Sequence, residues 1–265
     1  LIQFPHYRFY LLIYLFTNTL IFSSNKYITD WGSLLVENQS LTIKNEEVLQ
    51  VVNNHILYMQ SIFGTNPKKP FKIIISNKQE LSYNNIWSWS LGITIGNTVI
   101  IKDTSISHIS KKRFMQVLRH ELNHIYLNRL SNKFKLPRWF EEGFSMYYAD
   151  ESSLSNKLII ANNIDNRDML MLNVLDLKFN SNSKEQFNFA YAYSQILLDF
   201  FINNYSELIL IEIIEDIKSG STFEDAFYNN TLLTINDYNI QVLNNIKSNF
   251  WWLRLMKLPS LLLIL

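Results

Sequence analysis

The chain has five histidines in 265 residues, and two of them stand four apart in His120-Glu121-Leu122-Asn123-His124. On a helix, residues at this spacing sit about 40° apart around the axis and one turn along, so both imidazoles can reach one metal ion. Glu121 lies about 60° from His124 by the same geometry, beside that face. It can touch a water on the metal without being a ligand, which is the arrangement of metal-assisted hydrolysis. The bland alternative is a helix with two surface histidines. There is no cysteine, so thiolate nucleophiles, disulfides and Cys-ligated metal are excluded, and a metal site must draw on imidazole and carboxylate. A catalytic zinc takes three protein ligands and keeps one position for water. A third ligand must therefore come from elsewhere in the chain.

Such a pair of histidines needs a helix to hold it. Phe114, Val117, Leu118, Ile125 and Leu130 recur at helical spacing and predict a helix over residues 110–130. Pro137 opens a second predicted helix, 137–148, since proline is tolerated at a helix start. Upstream, Val48, Val51, Val52, Ile56, Leu57 and Ile62 predict an amphipathic helix over 45–63. The short β-branched run 71–76 (FKIIIS) predicts a strand. Residues 86–95 and 98–102 predict two more, with Gly96-Asn97 as a tight hairpin turn. Downstream, helices are predicted at 184–204, at 207–218, from a capping box at Ser221-Thr222-Phe223-Glu224, and at 234–247. Strands first and helices after suggest an α+β layout. No internal repeat or long linker divides the chain, so residues 25–249 are expected to form one domain.

The second predicted helix carries a recognisable block. Residues 139–148, WFEEGFSMYY, are similar to the W-L-x-E-G-[FL]-A-x-Y block of aminopeptidase N-like enzymes and of the smaller bacterial peptidase MA-like proteins. Together with His120 and His124, the block resembles the gluzincins, metallopeptidases that take a Glu ligand from a following helix. In that block the Glu before Gly binds zinc, so the resemblance implies Glu142 as the third ligand, with 17 residues between it and His124. Helix geometry selects the same residue. Neighbours point about 100° apart, so Glu141 and Glu142 cannot both face the metal. Trp139 and Met146 share the side of Glu142 and mark it as inner, whereas Glu141 shares its side with Arg138 and Ser145, a more polar set expected to be solvated.

The resemblance continues with less specificity. Phe189-Ala190-Tyr191-Ala192-Tyr193-Ser194 looks like the Y-A-x-S helix of peptidase MA-like proteins, which implies Tyr191 as an oxyanion donor and leaves Tyr193 as the next candidate. A core tyrosine is the other reading of Tyr191. Residues 222–227 (TFEDAF) resemble the F-E-E-A-F segment. Where aminopeptidase N-like enzymes carry G-x-M-E-N, this chain has Leu91-Gly92-Ile93-Thr94-Ile95-Gly96-Asn97, with no acidic residue. The small peptidase MA-like group is the nearer match. It implies a zincin-like α+β fold: a small N-terminal sheet, the active-site helix beneath it, and a mostly helical subdomain carrying Glu142. The implied activity is zinc-dependent hydrolysis of peptide bonds in a peptide or protein substrate, with Glu121 as general base on zinc-bound water. An edge strand within 86–102 could hold the substrate extended. The alternative is a catalytically silent zinc-containing binding domain attached to a membrane; the intact Glu121 argues against it, since a structural site needs no base.

A net charge of +1, from 24 basic and 23 acidic residues, gives no reason to expect nucleic acid as a partner. Residues 9–22 (FYLLIYLFTNTLIF), with Arg8 before them, predict a signal peptide or an N-terminal membrane anchor over 1–24. A buried N-terminal helix is the other reading. Residues 250–265 (FWWLRLMKLPSLLLIL) are either part of a transmembrane segment or an apolar tail packed on the body. The catalytic domain is accordingly expected to be exported or membrane-anchored, outside the cytoplasm. Trp87, Trp89 and Trp139 are expected in the core, and His108 in a solvated loop.

Overall fold

Short β-branched runs build the sheet, joined by tight turns where neighbours run antiparallel and by one helix between the second and third strands. The computed structural model describes residues 25–37, 43–64, 69–78, 90–131, 134–165, 170–179, 181 and 183–253. Strands β1 (Asn25–Thr29), β2 (Gly32–Val36), β3 (Phe71–Ser76), β4 (Gly92–Ile95) and β5 (Thr98–Lys102) form one sheet in the order β1-β2-β3-β5-β4. The three central strands run parallel, and the outer two pair antiparallel with their neighbours. A parallel pair needs a crossover, and α1 (Asn45–Phe63) supplies it between β2 and β3. Phe71, Ile73 and Ile75 of β3 and Val99 and Ile101 of β5 are buried, on the two-residue period of a strand face. Gly96-Asn97 is the hairpin turn expected: Ile95 pairs with Thr98, and Gly96 takes φ 58°. Trp87, Trp89 and the rest of 86–89 lie outside the described residues, and β4 starts at Gly92.

Helix α2 (Thr104–Ser107) leads into α3 (Lys111–Leu130), which carries the two histidines. Ser110 is its cap: the hydroxyl accepts from the Arg113 backbone N–H at 3.2 Å. One side of α3 packs on β4 and β5, and another on α4 (Arg138–Tyr148). Pro137 is the residue before α4, not its first helical residue. The chain continues through α5 (Leu154–Asn163), α6 (Leu172–Phe179), α7 (Lys184–Tyr205), α8 (Glu207–Lys218), α9 (Phe223–Thr231) and α10 (Ile235–Phe250). Helix α7 is the axis of this half, packing against α4, α5 and α6 through buried Phe189, Ala190, Leu197, Leu198 and Phe201. The cap of α9 is Thr222, which accepts from the Asp225 N–H at 3.1 Å while its hydroxyl donates to the Asp225 carboxylate at 2.7 Å. The box is therefore one residue later than Ser221 and Glu224. The result is an α+β molecule with a small sheet, the histidine helix beneath it and a helical remainder, as expected. No helix among the described residues is long and apolar enough to cross a membrane. Residues 1–24 and 254–265, where the apolar runs fall, lie outside them.

Candidate metal centre

His120 and His124 lie one turn apart on α3, and Glu142 meets them from α4. Their Nε2 atoms are 3.2 Å apart. Glu142 Oε2 is 3.3 Å from His120 Nε2 and 3.5 Å from His124 Nε2. These are the separations of three corners of a tetrahedron whose centre-to-corner bonds are about 2.0–2.1 Å, the bond length of zinc to imidazole or carboxylate. Glu142 Oε2 is buried and has no hydrogen-bond partner among the described residues. A buried carboxylate oxygen in that condition is costly, and a cation shared by the three atoms removes the cost. His120, His124 and Glu142 are thus a donor set that can hold a metal ion.

The surrounding charges favour the same thing. Burial alone would raise the Glu142 carboxyl, but the His124 and His120 imidazoles outweigh it and hold the group well below the ordinary carboxylate range. Burial alone would lower the His120 imidazole, but Glu151 and then Glu142 push it well above its ordinary value. The cluster is built to bind positive charge at its centre.

Each imidazole has a polar group behind it. His120 Nδ1 lies 3.3 Å from Glu151 Oε1, and Glu151 Oε2 is paired with Arg113 Nη1 at 2.9 Å. Glu151 returns to α3 because the chain turns sharply after α4: Asp150 takes φ 58°, and the Glu151 N–H donates to Met146 O at 3.0 Å. His124 Nδ1 lies 3.2 Å from Ser145 Oγ. The Ser145 carbonyl accepts from Asn123 Nδ2 at 3.0 Å, and Asn123 Oδ1 accepts from buried His55 Nε2 at 2.6 Å. The sequence reading missed Glu151, Arg113, Ser145 and His55. One signal was available: Arg113 stands seven residues before His120, two turns along the same helix face. Ser145 corrects the expectation of a solvated polar side, because it is fully buried against α3.

Glu121 sits beside this cluster, buried, with its carboxyl raised chiefly by that burial. Thr94 of β4 fixes it: Thr94 Oγ1 lies 2.7 Å from Oε2 and 2.9 Å from the Glu121 carbonyl. The strand can come this close because position 92 is glycine. A Cβ there would fall 2.8 Å from Glu121 Cγ and 2.9 Å from Oε1.

Tyr191 of α7 completes the wall. Its ring lies at 25° to that of His120, with centroids 6.2 Å apart, and packs on Phe187 and Phe179. Burial, and then the negative Glu142, push its phenol well above the ordinary value, so at neutral pH it keeps its proton and can donate. Tyr193 is turned away: it is fully buried, and its hydroxyl donates to Asn239 Oδ1 at 2.6 Å. His108 is exposed after α2 and takes no part.

Glu121, His124, Glu142 and Tyr191 open into one groove of about 520 Å³, with Gly92, Ile93 and Thr94 of edge strand β4 on one side and Arg138, Glu141 and Phe187 among its other lining residues. Glu141 is partly buried there, on the groove and not on open surface. A sequence model described as the Peptidase MA superfamily matches residues 51–251. A search of curated proteins gives no match.

Proposed function

The chain belongs to the Peptidase MA superfamily, and from that premise we propose that it is a zinc metallopeptidase of the gluzincin type, with His120, His124 and Glu142 as metal ligands and Glu121 as general base. The observation that carries this reading is the convergence of the three donor atoms at 3.2, 3.3 and 3.5 Å. A zinc ion held there would supply polarisation of the scissile carbonyl and a lowered pKa for water.

The chain's own residues do the rest. An extended peptide adds to the outer edge of β4, which ends the sheet among the described residues. Glu121 takes a proton from the attacking water as the water oxygen bonds to the carbonyl carbon, and gives that proton to the amine nitrogen as the C–N bond breaks. Its raised carboxyl brings proton affinity closer to what a base needs at neutral pH, and Thr94 holds one oxygen so that the other is free to exchange the proton. Tyr191, kept neutral by its surroundings, donates a hydrogen bond to the carbonyl oxygen as negative charge builds on it.

The test is a pair of variants on one peptide substrate. Glu121→Gln keeps nearly the same shape but cannot accept the proton, so it retains one metal per chain and loses hydrolysis. Tyr191→Phe keeps the metal and slows turnover on the order of 10²-fold. Wild-type turnover in Glu121→Gln would remove Glu121 as the base, and in Tyr191→Phe would return that ring to a packing role.

A further inference from the structure

Among the described residues three carboxylates line the groove, and two are committed. Glu142 faces the imidazoles and Glu121 is held by Thr94. The third, Glu141, forms no hydrogen bond or ion pair among the described residues, although it is partly buried. The cation on its own helix also serves other groups: Arg138 Nε lies 3.6 Å from Glu142 Oε1, its guanidinium lies over the Phe179 ring at 4.8 Å, and with His124 it attracts Glu141 through space. An acidic side chain withdrawn from water without a hydrogen-bond partner costs stability. In a cleft beside a reaction centre, that cost is offset when a ligand brings the opposite charge.

The lining of the groove suits such a ligand. Leu127 and Phe187 line the same groove and offer apolar surface for the methylene stem of a long cationic side chain. The distance to the chemistry is short, since the Cα atoms of Glu141 and Glu142 are about 3.8 Å apart and an extended peptide advances about 3.3–3.6 Å per residue.

We propose that Glu141 is a specificity-determining residue, and that it makes this groove prefer peptides carrying an ammonium or guanidinium group within one or two residues of the bond cleaved. The proposal rests on the peptidase reading and names its substrate class. The cation has two sources, a Lys or Arg side chain or a free amino terminus, and the test separates them.

Binding is measured by calorimetry at physiological salt on zinc-loaded Glu121→Gln protein, which does not consume its ligand. Three peptides are compared: an Ala-Lys repeat blocked at both ends, the blocked Ala-Gln repeat, and the Ala-Gln repeat with a free amino terminus. One charge-assisted hydrogen bond is worth on the order of tenfold in affinity or more. The blocked Lys peptide is expected to bind at least about tenfold tighter than the blocked Gln peptide. If the amino terminus is the source, the unblocked Gln peptide shows the gain instead. Adding Glu141→Gln should abolish the gain while zinc content stays at about one per chain. Equal affinity for all three peptides, or a preference that survives Glu141→Gln, overturns the proposal. A Glu141-dependent preference in a protein whose wild-type form cleaves none of the peptides supports cation recognition and overturns the peptidase reading.

Discussion

At the scale of single residues, the site divides into atoms that would touch a metal or substrate and atoms that hold those in place. Glu151 is the clearest of the second kind. It is buried, lies 3.3 Å from His120 Nδ1 and is itself anchored by Arg113. A carboxylate behind a ligating imidazole fixes the ring and its tautomer, and its loss typically costs about 10–100-fold in metal affinity. Glu151→Gln should therefore weaken zinc binding by about that factor, read by competition with a chelator, while the fold is retained. Unchanged affinity would make the Glu151 contact incidental. Much of this scale was legible beforehand, because His120, Glu121 and His124 stand close in sequence and helix geometry alone brings them together. Glu151 and Ser145 were not legible. They reach the imidazoles only through the packing of α4 on α3 and the reversal at Asp150, which no local pattern announces. Tyr191 and Tyr193 show the same limit. Both stand in one aromatic helix, and only the packing of α7 shows that one faces the groove and the other faces Asn239.

At the scale of elements, the Glu-Gly pair on α4 has a steric reason. A Cβ at Gly143 would fall 2.6 Å from the Ser194 carbonyl oxygen of α7 and 3.2 Å from Leu198 Cβ. The helices touch backbone to backbone there, and this contact sets how far Glu142 reaches toward the imidazoles. Gly143→Ala should destabilise the protein by about 1–3 kcal/mol through overpacking. It should also weaken metal binding, because α4 must shift away from α7. A denaturation midpoint and zinc affinity both equal to wild type would contradict the close approach. Helices α3, α7 and α10 were visible in their periodicity. Helix α5 was not, since LSNKLIIANN gathers its apolar residues in one cluster with no repeating stripe. Strands β1 and β2 were not either, since NKYIT and GSLLV lack the β-branched run that marks TVIIK of β5.

At the scale of the whole molecule, the sheet half and the helical half meet at the candidate metal centre, and His55 ties α1 into that junction through Asn123 and Ser145. Burial lowers the His55 pKa to about 4, from 6.5. The unfolded chain thus binds this proton first as pH falls, and stability is lost between pH 6.5 and about 4. A shift of that size corresponds to roughly 3 kcal/mol in all, fully present above pH 6.5. His55→Gln should flatten the fall in denaturation free energy across that window relative to wild type; parallel curves would show that His55 is not held neutral. The central claim, however, concerns the three donors at the junction, and elemental analysis tests it most directly. Protein purified without chelator should carry about one zinc per chain, Glu142→Ala should lose most of it, and Glu141→Ala should keep it. Wild-type protein without a stoichiometric transition metal, or equal metal content in the two variants, would contradict the account.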